Sequence, residues 1–143
     1  FLNISQDHKS VMDTLGPFEQ LSSQTPLVIK NADDPELNSI QAAHTFGLRG
    51  RADCRPEAVK AVTPFGLFTL KGTDFELPLP GYHNLSNALA ALCVCESQGC
   101  HLQAMVEPLR EFRGIMRRFS VSRTPKGITV IDDYAHNPEK IRA

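Results

Sequence analysis

Apolar positions along the chain recur at two spacings, and the change from one to the other marks its elements. The opening "FLNIS" is a short apolar stretch that reads as a strand. "PLVIKN", Pro26 to Asn31, is a β-branched run that ends in the Asn/Asp/Pro cluster "NADDP", as a strand running into a turn does. A capping Asp, Pro35 at the first helical position and Glu36 in the first turn predict a short helix from Pro35 to about His44. This strand, turn and helix predict an α/β layer. From Ala58 to Leu79 the pattern shifts to "AVKAVTP", "GLFTLKG" and "DFELPLP", broken at Pro64 to Gly66 and at Gly72 to Asp74, which predicts an antiparallel hairpin or small sheet.

Helical spacing returns at Leu85, Leu89, Leu92 and Cys93, predicting a buried helix from about Asn84 to Gln98 with Gly99 as its stop. A second helix follows, with Leu102, Met105, Val106 and Leu109 on one face and Pro108 expected to bend or interrupt it. "FRGIMRR" reads as a connector into a new domain. "FSVSRTPKGITVIDDY" is a hairpin turning at Pro125 to Gly127, with Ile128 to Ile131 apolar enough for a central strand. "NPEKIRA" begins a helix with Pro138 at its first position. Both ends stop within elements, so the sequence reads as a fragment of something longer.

Length and charge narrow the function classes. At 143 residues the chain holds about one domain, so a second one would be incomplete. Lys plus Arg number 15 against 16 Asp plus Glu, for a formal charge of -1, which argues against nucleic-acid or membrane-surface binding and leaves any anion site local. No apolar run approaches the roughly 18 residues of a membrane span, and the expected location is cytoplasmic. Three of the four cysteines crowd into "CVCESQGC" beside His101. Cys93 and Cys95 stand two apart and would face different sides of a helix, and no CxxC pair occurs, so small buried thiols are the better reading than a metal site.

Three constellations can carry chemistry, each at a strand end or helix start, where α/β proteins hold ligands. In "NISQDH", Asp7 and His8 would sit just past a strand; His8 can bind a divalent cation or act as acid or base, against a capping Asp7 and a surface histidine. In "GYHNLSN", His83, Asn84 and Asn87 open a helix. Asn84 and Asn87 share a face, so their carboxamides can meet the edge of a purine base, whereas capping by Asn84 would explain one and leave the other idle. In "MRRFS" with "IDDYAHNP", Arg117 and Arg118 can hold phosphate, and Asp132 and Asp133 end an apolar strand beside Tyr134, His136 and Asn137; the plain alternative is an arginine–aspartate salt bridge.

Taken in order, "NISQDH", "NADDP", "LPGYHNLSNALAAL", "FRGIMRRF" and "VIDDYAHNP" resemble the Mur ligase superfamily, ATP-dependent enzymes that join an amino acid or peptide to a carboxylate. The paired aspartates and the "NIS.DH" form look most like the UDP-N-acetylmuramate:L-alanine ligase branch and the muropeptide ligases. The resemblance implies an α/β fold: the later part of a central ATP-binding domain, with a parallel sheet, helices and a small antiparallel sheet, over residues 1–112. Residues 113–143 would open a Rossmann-like C-terminal domain. It implies a UDP-sugar carboxylate, an amino acid or peptide, ATP and Mg2+ as the molecules handled, without nucleic acid or membrane, and an acyl phosphate as the intermediate. By motif, His8 is similar to the family's magnesium-binding histidine. Asn84 and Asn87 look like adenine contacts lined by His83, with Asn87 the better match. Arg118 looks like the arginine that reaches the ATP phosphates, and Asp133 like a nucleotide-contacting aspartate, with His136 and Asn137 beside them.

Two features depart from that pattern. The phosphate-cradling loop G-x-x-G-K-[ST] is absent, so these 143 residues are not expected to turn over ATP unaided, and sheet edges left bare would favour self-association. No lysine occurs between Lys9 and Lys30, where several branches carry a carbamylated one. Cyanophycin or folylpolyglutamate synthetase-like ligases, and a non-catalytic nucleotide-binding domain, are the competing readings.

Overall fold

A computed structural model describes residues 1–4, 11–115, 118, 120–135 and 141. His8, Arg117, His136 and Asn137 therefore lie outside the described residues, as does the predicted helix start at Pro138. The chain divides into two compact units, Phe1–Phe112 and Arg113–Ala143.

The first unit is mixed α/β. Strand β1 (Ile29–Asn31) pairs in parallel with β2 (His44–Phe46), and Phe46 forms a further parallel bridge to Cys54. Residues Phe1 to Ile4 adopt no strand of their own but lie along β1: Asn31 donates its backbone N–H to Phe1 O at 3.0 Å, and its side-chain amide donates to Leu2 O at 3.0 Å. Helix α1 (Val11–Gln24), in a stretch for which no element was predicted, precedes β1 and runs through Gly16 and Pro17. Leu15 and Phe18, three apart, pack on the cluster of Ile4, Val28, Leu37 and Ile40, so tertiary burial outweighs local propensity.

The helix predicted from Pro35 to His44 shrinks to a single 3-10 turn, Pro35–Leu37. Asp34 caps it as the pattern implied, accepting from the Glu36 N–H at 3.0 Å. It goes no further because Leu37 and Ile40 are anchored in the core, while Lys30 Nζ donates to the carbonyls of Leu37 and Ile40 at 3.0 and 2.7 Å. Those carbonyls are engaged, and His44 to Phe46 must extend to reach β1.

Strands β3 (Ala58–Ala61), β4 (Gly66–Leu70) and β5 (Thr73–Leu77) form the expected antiparallel sheet in the order β3-β4-β5. Lys71 and Gly72, both with positive φ (47° and 76°), make the two-residue turn between β4 and β5, a geometry that matches the twist of paired strands. One sheet face buries Phe68, Leu70, Phe75 and Leu77, with Phe68 and Phe75 stacked at 5.3 Å. Helix α2 (Tyr82–Ser97) buries Leu85, Leu89, Leu92 and Cys93 in the same core as Phe68, Leu70 and Phe75, and Ala88 is buried as well. Helix α3 (Leu102–Glu111) packs Leu102, Met105, Val106 and Leu109 against that core and continues through Pro108 without interruption. That stripe supplies the packing that outweighs the hydrogen bond Pro108 cannot make.

In the second unit, β6 (Ser120–Arg123) and β7 (Thr129–Asp132) pair antiparallel around the predicted Pro125 to Gly127 turn. The expectation of a central β7 is not met: all four of its residues are exposed and it has one strand neighbour among the described residues. No helix among the described residues is long and apolar enough to cross a membrane.

Candidate functional site

Helix α2 begins earlier than its apolar spacing implied, at Tyr82, and its N-cap is Gly81 rather than Asn84. Gly81 stands at φ 97°, ψ 149°, a conformation that side chains with a Cβ strongly resist. A Cβ there would also meet the His83 ring at 2.9 Å, so the imidazole folds back over the glycine and is placed by it. Asn84, in the first turn, donates its amide to Pro80 O at 2.7 Å, which closes the entry turn. Asn87 is exposed one turn further on. The structure thus brings His83, Asn84 and Asn87 together on the first two turns of one helix and gives the two asparagines unequal freedom.

A second polar knot, centred on Asp33, was legible only as a turn. Asp33 accepts the backbone N–H groups of Leu48, Arg49 (3.1 Å) and Gly50 (3.0 Å), clamping the Gly47–Gly50 loop to the end of β1. Partial burial pushes its carboxyl upward, but the hydrogen bonds from Gly50, Leu48 and Arg49 outweigh this and hold it below the usual carboxylate range. Its neighbour Asp34 accepts from Ile4 N at 2.9 Å as well as capping the 3-10 turn, and Asn31 Oδ1 accepts from Asp33 N at 3.0 Å. "NADDP" therefore joins three segments, and the signal was its density of short side-chain acceptors at a strand end.

The third knot holds α2 by its other end. Glu96 pairs with Lys71 at 2.6 Å and accepts the Cys54 thiol at 3.2 Å. The lysine holds the Glu96 carboxyl below its usual range, while burial pushes the Cys54 and Cys93 thiols up. Small buried thiols were expected in the crowded cysteine stretch; there Cys93 is buried, Cys95 half-buried and Cys100 exposed, while Cys54 is buried as well. Among the described residues no group of three His, Cys, Asp or Glu side chains is placed to hold a metal ion.

In the second unit, Arg118 precedes β6 and Asp133 follows β7, and the register Ser120↔Asp132 puts both at the open end of the hairpin. Both are exposed, and Asp133 Oδ1 accepts from Ala135 N at 2.6 Å, bending the chain just past the strand. Asp132 and Tyr134 flank it.

Comparison with known proteins gives this α/β arrangement its class. The family model described as the Mur ligase middle domain matches residues 1–95, and the chain belongs to that family. Within it, the chain is 40% identical over 134 residues to the UDP-N-acetylmuramate--L-alanine ligase of Thermotoga petrophila, covering 87% of this chain and 28% of the relative. It is 35% identical to the ligase of the same name from Pelotomaculum thermopropionicum, covering 99% of this chain and 34% of the relative. The crystal structure of UDP-N-acetylmuramate-alanine ligase MurC from Thermotoga maritima superposes with a TM-score of 0.80 at 36% identity, over 99% of this chain and 35% of that one. The chain thus spans about a third of the length of the relatives it matches.

Proposed function

We propose that this chain belongs to an ATP-dependent, ADP-forming amide ligase that joins an amino acid or short peptide to a UDP-N-acetylmuramate-type carboxylate in peptidoglycan synthesis or recycling. The observation that carries the reading is the 40% identity to a UDP-N-acetylmuramate--L-alanine ligase across 87% of the chain. In this reading, residues 1–112 are the later part of the central ATP-binding domain and residues 113–143 open the C-terminal ligase domain.

The reaction needs positioned charge more than a protein nucleophile. A substrate carboxylate oxygen attacks the γ-phosphorus of ATP, the bond to the bridging oxygen breaks, and ADP leaves an acyl phosphate behind. An amine then attacks the activated carbonyl, phosphate departs, and the amine sheds a proton. In this scheme Asn87 offers a carboxamide donor and acceptor to the adenine edge, Asn84 adds Oδ1, and His83 lines the same end of α2. Arg118 supplies a guanidinium for phosphate oxygens, with Asp133, His136 and Asn137 on the nucleotide side. Magnesium would neutralise phosphate charge, with His8 as its ligand. Lacking G-x-x-G-K-[ST], these 143 residues alone are expected to release no ADP.

The test is ADP release by the longer protein this reading requires, supplied with ATP, magnesium and UDP-N-acetylmuramate, with L-alanine, other amino acids and short peptides added singly. Dependence on L-alanine supports the alanine-adding reaction, and dependence on a peptide supports a muropeptide ligase. Release with none of them overturns the cell-wall assignment in favour of a folylpolyglutamate or cyanophycin synthetase-like ligase or a non-catalytic nucleotide-binding domain. Arg118→Ala should lower turnover at least tenfold, as loss of a charge-stabilising donor does, with an unchanged melting temperature.

A further inference from the structure

Helix α2 ends in a cap that places two cysteines at its matching positions. Gly99 adopts φ 85°; its N–H donates to Glu96 O at 2.9 Å, and the Cys100 N–H donates to Cys95 O at 3.0 Å. This paired 5→2 and 6→1 pattern is the Schellman motif, in which the residue three before the cap and the second residue past it commonly bring their side chains together. Here those residues are Cys95 and Cys100. That direct backbone hydrogen bond keeps the two residues side by side across the cap, and a disulfide spans Cα atoms about 5.5–6 Å apart. Cys100 is exposed, Cys95 is half-buried, and nothing lies within 4 Å of a Cβ built on Gly99, so the cap is open to a small reagent.

We propose that Cys95 and Cys100 are an oxidisable dithiol that closes into a disulfide across the α2 cap on meeting a small disulfide such as oxidised glutathione. Cys100, as the thiolate, attacks one sulfur of glutathione disulfide; the S–S bond breaks and one glutathione thiolate leaves and takes up a proton. Cys95, after losing its proton to solvent, attacks the Cys100 sulfur, breaking the mixed disulfide and releasing the second glutathione. Two electrons and two protons pass from the cysteine pair to glutathione.

The other neighbouring pair provides an internal contrast. Cys54 and Cys93 are 1% and 3% exposed, and the Cys54 thiol is occupied by Glu96. Accessibility and thiolate character govern exchange, so this pair is protected where the cap pair is not.

The experiment treats the folded protein with oxidised glutathione, blocks remaining thiols, and digests with a protease that cuts after glutamate. The expected result is loss of two of the four thiols, with peptide 77–96 joined to 97–111, the Glu107–Pro108 bond being resistant, by a link that dithiothreitol reverses. The link should vanish in both Cys95→Ser and Cys100→Ser. Persistence of the link in Cys95→Ser would assign it to Cys93 and overturn the proposal. So would a 37–57 to 77–96 link, a bond between two molecules, or four thiols retained under conditions that oxidise the urea-unfolded chain.

Discussion

The two units carry similar apolar patterns and put them to different use. In Phe1–Phe112, Phe46, Phe68, Leu70, Leu85 and Leu89 are all essentially removed from water. In Arg113–Ala143, Val121, Ile128, Val130 and Ile131 remain 43–59% exposed, and no described residue is buried. The same alternation that builds a core in the first unit presents an uncovered surface in the second. Apolar patterning thus states which face seeks burial, whereas burial itself is a property of what lies opposite. The candidate site residues divide along the same line, with His83, Asn84 and Asn87 on a helix braced by a core and Arg118 and Asp133 on a hairpin that is not.

Substitution sharpens this contrast. Leu89→Ala should lower unfolding free energy by about 2–5 kcal/mol through lost burial and a residual cavity, whereas Ile131→Ala should stay within ~0.5 kcal/mol, both measured by urea denaturation. Comparable losses would mean that the hairpin is buried in solution.

Gly81→Ala comes next, at about 1–3 kcal/mol from the positive φ and the displaced His83 ring. A crystal structure of the variant should show the imidazole moved, and nucleotide affinity should fall with it under the proposed function.

Asp33→Asn should cost ~1–3 kcal/mol at neutral pH by weakening bonds to a charged acceptor. The Asp33 carboxyl is held below its ordinary value of 3.8, so its contribution is present above that pH and is lost as pH falls through the lower, folded value. The gap between wild type and variant should therefore narrow on acidification below 3.8, and a constant gap would show that Asp33 acts by shape alone. The smallest effect is expected of Lys60→Ala. Its 2.9 Å pair with Asp74 is solvent-exposed on both sides, and the melting temperature should not move measurably.

Much of this architecture is legible in the sequence where periodicity and punctuation agree. The stripe Leu102, Met105, Val106 and Leu109 packs as read, the sheet turns where Gly and Pro fall, and α2 buries its predicted leucines. The failures share a cause. Helix α1 contains a Gly-Pro pair that local rules treat as a break, and Pro35 to His44 has helix-start signals but gives its carbonyls to a lysine from β1. Both outcomes are decided by contacts outside the segment itself, with the core for α1 and with Lys30, seven to ten residues upstream, for the 3-10 turn. The site divides similarly: "GYHNLSN" marks the helix start, but only the structure separates Asn84, whose amide is spent on Pro80, from Asn87. No local pattern reveals that Asp33 reaches the loop at Leu48 to Gly50, which lies fifteen or more positions further along the chain.

Glu96 has a wider consequence. Its carboxylate joins the β4–β5 turn, through Lys71, to the segment after β2, through Cys54, at a point near the end of α2. Three segments that share one acceptor cannot open separately without leaving a charge or a thiol unpaired. Amide hydrogens of β4, β5 and the C-terminal half of α2 should therefore exchange with solvent deuterium as one cooperative block. In Glu96→Ala that block should split, with the Lys71–Gly72 turn the first part to lose protection.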